Sequence, residues 1–163
     1  MTTLRTFTLL AAVLSTGLGA GVYALYAHTI MPALRDVDDR TFVAAFQALD
    51  RAILNPWFLG GSFVGSVLLG IAAGAMGIGR PEFGWIAAAV VLQVLVVAIT
   101  VSVNVPLNDA LKAAGNPATI PDLAAVRAAF DESRWQAWNL VRTALAVVAF
   151  GLLAWALVVQ TRA

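Results

Sequence analysis

The hydrophobic positions of the chain are grouped in four long blocks that contain almost no charge. The blocks run from about residue 6 to 27, 57 to 79, 83 to 103 and 140 to 160. Each is close to the ~20 residues that an α-helix needs to cross the hydrocarbon core of a bilayer. None has the alternating pattern that is typical of a membrane-spanning strand. Because a backbone in lipid must satisfy its own hydrogen bonds, the pattern predicts four transmembrane helices.

The first block has some features of a cleaved signal peptide, since Arg5 precedes it and small residues follow. Its apolar stretch is about twice as long as the apolar region of a signal peptide. It also ends in Tyr26, Ala27 and His28 rather than in a small-residue cleavage site. We therefore interpret this block as a helix that is retained.

Local residue types mark where other helices begin. Asn55 and Pro56 are the residue types of an N-cap and a first helical turn, so they predict the start of the second helix. Arg80 and Pro81 indicate a tight turn after that helix. We therefore expect the second and third helices to form an antiparallel hairpin.

The two remaining connections are long, and each contains a helix-like pattern. A segment from about 38 to 54 has an apolar stripe at spacings of four, three and four, formed by Phe42, Phe46, Leu49 and Ile53. A second segment, from about 105 to 137, has apolar residues at spacings of three and four, namely Leu123, Val126 and Phe130. This second pattern meets no breaker before the fourth block, so we expect one helix over residues 122–160.

Both segments lie on the same side of the membrane, because an even number of crossings separates them. We expect the first half of the long helix to project from the membrane and pack on the helix of the first segment. An amphipathic helix lying flat on the membrane is the alternative for either segment. The expected fold is therefore all-α, with residues 1–163 forming a single membrane domain: a four-helix transmembrane bundle with two helical loop segments that form a cap on one side.

Composition agrees with a membrane protein and excludes several classes. The chain is 61% hydrophobic and 12% charged, whereas soluble chains are roughly 45–50% apolar and about 25% charged. This composition excludes intrinsic disorder. A net charge of +1 with no basic stripe argues against a nucleic-acid partner. Membrane lipids and a lipophilic small molecule are the expected partners.

The chain has no cysteine and only one histidine, which limits metal chemistry. No pair of histidines or of glutamate and histidine has the spacing of a haem or di-iron site. We therefore expect no metal and no cofactor.

Polar residues within the apolar blocks gather near one membrane edge, where they are costly and commonly functional. On the third helix a single face carries Gln93, Thr100, Asn104 and Asn108, at spacings of seven, four and four. Pro106 interrupts that helix, because its ring clashes with the carbonyl of Ser102 and a kink there would open space. The start of the fourth helix carries Trp135, Trp138, Asn139 and Arg142, and the end of the first carries Tyr23, Tyr26 and His28.

Each of these residues also has an ordinary structural interpretation. His28 can be an interfacial residue, and the asparagines can cap a kink or bond carbonyls of a neighbouring helix. Arg142 can extend to the membrane surface or pair with Asp109 or another acid. The tryptophans can belong to an interfacial belt, or they can form a flat wall for an aromatic ligand.

Several of these motifs resemble the anthrone oxygenase family. The resemblance is carried by Asn-Val-Pro-Leu-Asn at 104–108 and by Trp-x-x-Trp-Asn-x-x-Arg-Thr at 135–143, with weaker support from residues 31–34 and from Asn55-Pro56. It covers essentially the whole chain. It implies a four-helix membrane protein whose characterised relatives convert an anthrone to an anthraquinone without a metal or flavin.

The resemblance suggests a first hypothesis, an oxidation of a lipophilic aromatic or quinone-type molecule without a cofactor. His28 is the expected base. Binding and stabilisation of the enolate oxygen are assigned to Asn104, Asn108, Asn139 and Arg142. The pocket lining is assigned to Tyr23, Tyr26, Gln93, Thr100, Trp135 and Trp138.

Two other functions remain open from the sequence. The same pocket can bind a lipid, a quinone or a partner's helix without catalysis. A transporter or channel subunit is a third possibility, although four glycine-rich helices leave little room for a pore unless the chain forms a homo-oligomer.

Orientation is read from the basic residues. Arg5, Arg80 and Arg162 lie on one side and seven Lys or Arg on the other, which by count places the long connections inside. Those connections also hold eight of the nine acids. We therefore expect an integral protein of a bacterial-type plasma membrane with both termini in the cytoplasm.

Overall fold

The computed structural model describes residues 2–162, which are almost entirely helical and contain no strand, as the predicted all-α class requires. The α-helices are α1 (Thr2–Leu25), α2 (Met31–Arg35), α3 (Asp39–Ile53), α4 (Val64–Met76), α5 (Phe83–Ile99), α6 (Val105–Ala113), α7 (Leu123–Phe130) and α8 (Glu132–Arg162). Three π-helical turns adjoin them, which we name π1 (Tyr26–Ile30), π2 (Trp57–Phe63) and π3 (Thr100–Asn104).

Four helical stretches are long and apolar enough to cross a membrane, which confirms the predicted number. They cover Thr3–Arg35, Trp57–Met76, Phe83–Ala113 and Leu123–Arg162. The first and third extend beyond the predicted blocks because π1 and π3 continue each helix past its apolar part. The fourth extends further because α7 directly precedes α8.

The four stretches form a closed ring in which each packs on two neighbours. α1 and α5 each pack on both α4 and α8. Small side chains dominate the centre of this ring, where the buried cluster includes Ala12, Ala73, Ala89, Ala149 and Ala156. Small residues let helix backbones approach closely, and this close packing holds helices together in lipid.

The two cap segments pack on each other at one end of the ring, as their apolar stripes predict. α3 contacts both α6 and α7, and the ring centroids of Phe46 and Phe130 are 4.6 Å apart. The side chains of Phe42, Val43 and Phe46 are buried in this contact. The apolar face of α3 is therefore turned toward protein, and the alternative of a helix lying flat on the membrane does not describe it.

The start of α3 is fixed by a local cap. The Asp38 carboxylate accepts a hydrogen bond from the Thr41 backbone N–H (3.1 Å) and another from the Thr41 hydroxyl (2.6 Å). This is the usual N-cap arrangement, in which a side-chain oxygen replaces a missing helical acceptor. These hydrogen bonds stabilise the ionised carboxylate and hold the pKa of Asp38 below its usual value.

The expectation of one unbroken helix over residues 122–160 is wrong. The chain breaks at Asp131, whose φ of 51° is left-handed. Aspartate tolerates this conformation because its side chain can bond to nearby backbone. Here the Asp131 carboxylate accepts from the Arg134 N–H (3.1 Å) and the Ser133 hydroxyl (2.8 Å), so the same residue ends α7 and caps α8.

Arg127 ties α7 to the end of α2. Its guanidinium donates to the backbone carbonyls of Leu34, Arg35 and Val37 at 2.8–3.3 Å. It also pairs with Asp39 (3.2 Å) and, across the helix break, with Glu132 (2.6 Å). Carbonyls at a helix end have no partner within the helix, so Arg127 supplies hydrogen-bond donors to the C-terminal end of α2.

Another ion pair, whose carboxylate is buried, lies at the opposite end of the ring. Arg5 Nε of α1 is 3.6 Å from Glu82 Oε1, just before α5, and the Glu82 side chain is only 1% exposed. Neither Glu82 carboxyl oxygen has a hydrogen-bond partner among the described residues. The positive charge of Arg5 therefore compensates the negative charge of the buried Glu82 carboxylate.

We expect Arg5→Ala to destabilise the fold by about 3–5 kcal/mol, because it leaves the buried Glu82 carboxylate without a cation. The measurement is the free energy of unfolding in detergent. Arg80→Ala is the matched control, since Arg80 is exposed in the turn before Glu82. An equal loss in both variants, or no loss in Arg5→Ala, would show that the ion pair contributes nothing.

Candidate functional site

Two of the π turns precede prolines. Proline has no N–H, and its ring clashes with the carbonyl four residues earlier, so the regular hydrogen bonding cannot continue. Before Pro32 the Met31 N–H bonds to the Tyr26 carbonyl, and before Pro106 the Val105 N–H bonds to the Thr100 carbonyl. Both bonds span five residues, which is the π pattern. The disturbance predicted at Pro106 is therefore present, in the form of a wider helical turn.

The remaining π turn, π2, follows Pro56 and contains two glycines. Gly65 follows the turn as the second residue of α4, and a Cβ there would overlap the Gly60 carbonyl oxygen, so this position needs glycine. The Ser15 hydroxyl of α1 donates to the Gly61 carbonyl. Asn55 caps this helical stretch as predicted, because its side chain accepts from the Phe58 N–H at 3.0 Å.

All three π turns contribute to the wall of one cavity between the ring and the cap. The cavity has a volume of about 110 Å³. Its aromatic lining consists of Tyr23, Tyr26, Phe46, Phe58, Phe63 and Trp135. Its polar lining consists of Asp50, Thr100, Asn108 and Arg142. π turns are frequent at functional sites, and this cavity is the candidate site.

Arg142 is the cation of the cavity, and its partners are neutral. It is 7% exposed. Its Nε donates to Asn139 Oδ1 (2.9 Å) and its Nη1 to the Thr100 hydroxyl (3.2 Å). The guanidinium carbon lies 4.9 Å from the Tyr23 ring centroid and 5.2 Å from that of Trp135.

Arg142 belongs to none of the ion pairs formed by the described residues. The suggested pairing with Asp109 is wrong, because Asp109 instead contacts Lys112 at 2.8 Å. Extension to the membrane surface is also wrong, since the Arg142 side chain is buried. The cavity thus contains a desolvated positive charge that no carboxylate of residues 2–162 neutralises directly.

Asn139 holds this arginine in place. Its side-chain oxygen accepts from Arg142, and its side-chain N–H donates to the Tyr23 carbonyl of α1 at 3.1 Å. Asn139 is fully buried and does not line the cavity. Its role is therefore to fix the position of the guanidinium relative to α1.

A second set of hydrogen bonds joins α8 to the cap. Trp135 Nε1 donates to Asn108 Oδ1, and Asn108 Nδ2 donates to Asp50 Oδ1, both at 2.7 Å. Lys112 Nζ lies 2.9 Å from Asp50 Oδ2. Asp50 is 6% exposed and lines the cavity.

Asp50 was missed in the sequence analysis, although a signal was present. It lies four residues after Phe46 and three before Ile53, within the apolar stripe of α3. A carboxylate at such a position faces the protein interior rather than water.

Besides Asn139, four other predicted site residues do not line the cavity. His28 is exposed, and its Nδ1 lies 2.6 Å from the Thr29 hydroxyl. Trp138 is 39% exposed on the outside of α8. Gln93 bonds to the Thr16 hydroxyl (2.6 Å) inside the ring, and Asn104 donates to the Trp135 carbonyl (3.3 Å).

The predicted convergence is therefore partial. The expectation that His28 shares a site with Asn104 and Arg142 is wrong for His28. His28 lies two residues after Tyr26, which lines the cavity, and residues two apart in a helix point in different directions. Tyr23, Tyr26, Thr100, Asn108, Trp135 and Arg142 do meet at the cavity. Among the described residues, no group of three histidine, aspartate or glutamate side chains is placed to hold a metal ion.

Comparison with known proteins identifies a family model that matches part of the chain. The family model described as anthrone oxygenase matches residues 54–152. This range includes π2, π3 and the part of α8 that carries Trp135, Asn139 and Arg142. No curated protein and no solved structure matches the chain. Because the matched range is more than half of the sequence, the chain belongs to the anthrone oxygenase family.

Proposed function

We propose that this protein oxidises a lipophilic aromatic ketone of the anthrone type with molecular oxygen in the cavity between ring and cap. The observation that carries the proposal is the buried Arg142 guanidinium, whose partners are all neutral. The family to which the chain belongs is described as anthrone oxygenase, which supports this proposal.

The charge of Arg142 supports the proposal of a reaction that passes through an anionic intermediate. A desolvated cation is costly unless a counter-charge is supplied. Since no carboxylate in the described part of the chain pairs with Arg142, a ligand oxygen that develops negative charge gains the full interaction. Donors already held in position at such an oxygen lower the barrier more than they stabilise the neutral ketone.

The walls of the cavity support an aromatic ligand. Six aromatic side chains line it, and flat rings pack well against other rings. A neutral anthrone partitions into lipid, as does molecular oxygen. Both reactants are therefore concentrated where the cavity lies, beside helices that are long and apolar enough to cross a membrane.

The reaction balances without another oxidant. A base removes one proton from the ring CH₂ group, and the electron pair delocalises onto the ketone oxygen as an enolate. The enolate carbon adds molecular oxygen to give a peroxide anion, which takes up a proton. Loss of the second C–H proton with cleavage of the O–O bond then gives the second carbonyl and water.

We expect Arg142→Gln to lower the rate of anthrone oxidation by about 100-fold or more, because it removes the charge that stabilises the enolate oxygen. The measurement follows oxygen consumption and anthraquinone absorbance near neutral pH, with a blank that lacks protein. Arg134→Gln is the matched control, since Arg134 lies in the same helix and is exposed.

Equal rates in the two arginine variants would overturn the role of Arg142. If the purified wild-type protein retains a lipophile but consumes no oxygen, the cavity binds a lipid or quinone without catalysis. In that case Arg142→Gln should weaken ligand retention only.

We expect His28→Ala to keep the oxidation rate within about twofold of wild type, because this side chain lies outside the cavity and catalysis by a general base would contribute about 10²–10⁴-fold. The same assay measures it. A loss of 100-fold with normal retention of anthraquinone would restore His28 as the base.

The proposal places the protein in a bacterial-type plasma membrane with both termini in the cytoplasm. Two basic residues on the cap side, Lys112 and Arg127, are engaged in ion pairs, and Arg142 is buried. They therefore contribute less to the charge bias that sets orientation than the simple count suggests.

The cysteine-free sequence allows a direct test of orientation. Thr119→Cys in the cap and Thr161→Cys near the C-terminus form a matched pair, since both threonines are exposed. We expect a membrane-impermeant maleimide to label Thr119→Cys in intact cells and Thr161→Cys only after permeabilisation. The reverse pattern would place the cap in the cytoplasm.

A further inference from the structure

Among the residues that the structure describes, one carboxylate lines the cavity, and it comes from the cap. Asp50 of α3 is 6% exposed and lines the same cavity as Arg142 of α8. Asp50 lies outside the range matched by the family, residues 54–152. Its assignment therefore rests on the geometry of this chain.

We propose that Asp50 is the proton acceptor of the cavity, an inference that rests on the proposed oxidation. Its carboxylate takes a proton from the CH₂ group of the bound aromatic ketone. The C–H electron pair remains on the substrate as the enolate, and a new O–H bond forms on Asp50. The Arg142 guanidinium stabilises the negative charge that develops on the ketone oxygen.

The partners of Asp50 compensate the charge of its carboxylate in an apolar setting. Oδ1 accepts from Asn108 at 2.7 Å, and Oδ2 lies 2.9 Å from the Lys112 ammonium. A charge buried without a partner is costly, so these two contacts make a carboxylate tolerable at this position. Lys112 also contacts Asp109, which is 59% exposed, so the ammonium lies between the cavity and the surface.

The position of Asp50 relative to Arg142 is set by side chains that are themselves held. Trp135 packs on the guanidinium and donates to Asn108, which donates to Asp50. Tyr26 adds a further wall, with its ring 5.8 Å from that of Trp135. The base and the cation are thus fixed in one arrangement before a ligand enters, which reduces the reorganisation that catalysis requires.

The proton balance of the oxidation suits a buried base. The first proton taken from carbon is returned to the peroxide anion. The second, taken when the O–O bond breaks, neutralises the hydroxide that leaves. Asp50 therefore ends each turnover ionised, and the reaction needs no net proton transfer to bulk water.

The test compares Asp50→Asn with Asp109→Asn in the full-length purified protein. The two substitutions are chemically identical and affect the two carboxylates that contact Lys112, but Asp109 does not line the cavity. Anthrone oxidation measures catalysis. Binding of anthraquinone, which has no acidic C–H, measures whether the cavity is intact.

We expect Asp50→Asn to oxidise anthrone at least about 100-fold more slowly while it binds anthraquinone within about threefold of wild type. Asp109→Asn should keep the wild-type rate. Asp50→Ala provides a second variant, in which added formate should restore part of the rate by acting as the base. Formate should not restore Arg142→Gln.

The outcomes separate this inference from the proposed function. If wild type oxidises anthrone and Asp50→Asn does so at a similar rate, Asp50 is not the base and the oxidation stands. If Asp50→Asn loses anthraquinone binding and formate fails to rescue Asp50→Ala, Asp50 is structural and the inference is overturned. If wild type does not oxidise anthrone, both proposals fail.

Discussion

A proline cannot donate the backbone hydrogen bond that continues a helix, and the cavity depends on how this chain accommodates that constraint. Pro32 and Pro106 each follow a wide π turn, and a third such turn follows Pro56. Wide turns leave space that regular α-helices would fill, and all three line the cavity. Side chains of α8 then bond backbone carbonyls of the first stretch, since Asn139 donates to Tyr23 and Gln136 to Ala27.

The charges near the cavity are divided between two uses. Arg127 and Lys112 pair with carboxylates and hold the cap together. Arg142 has only neutral partners, so its burial contributes less to stability than an apolar side chain of similar size would. A buried cation of this kind is explained more readily by a ligand than by folding. Asp50 has both uses, because its ion pair with Lys112 helps to hold the cap together and its carboxylate lines the cavity.

The lengths of the apolar blocks were enough to predict four helices that can cross a membrane. Helical periodicity predicted the packing of the cap and much of the site. Thr100, Asn108, Trp135 and Arg142 were found because their spacing places them on common helix faces at one depth. His28 was misplaced because it shares the depth of Tyr26 but not its direction. The break at Asp131 was missed because a single left-handed residue leaves the apolar pattern on both sides intact. Asp50 was missed because the stripe of α3 was defined by its apolar residues alone, although Asp50 lies on the same helix face as Phe46 and Ile53.

The walls of the cavity come from two unequal parts of the chain. The range matched by the family contributes the Arg142 guanidinium, Thr100, Asn108 and Trp135. The first third of the chain contributes Tyr23, Tyr26, Phe46 and Asp50. Substitutions in that first third can therefore change which molecules fit without moving the positive charge. Family members that share the cation can therefore differ in substrate through changes in the cavity wall that the first third of the chain forms.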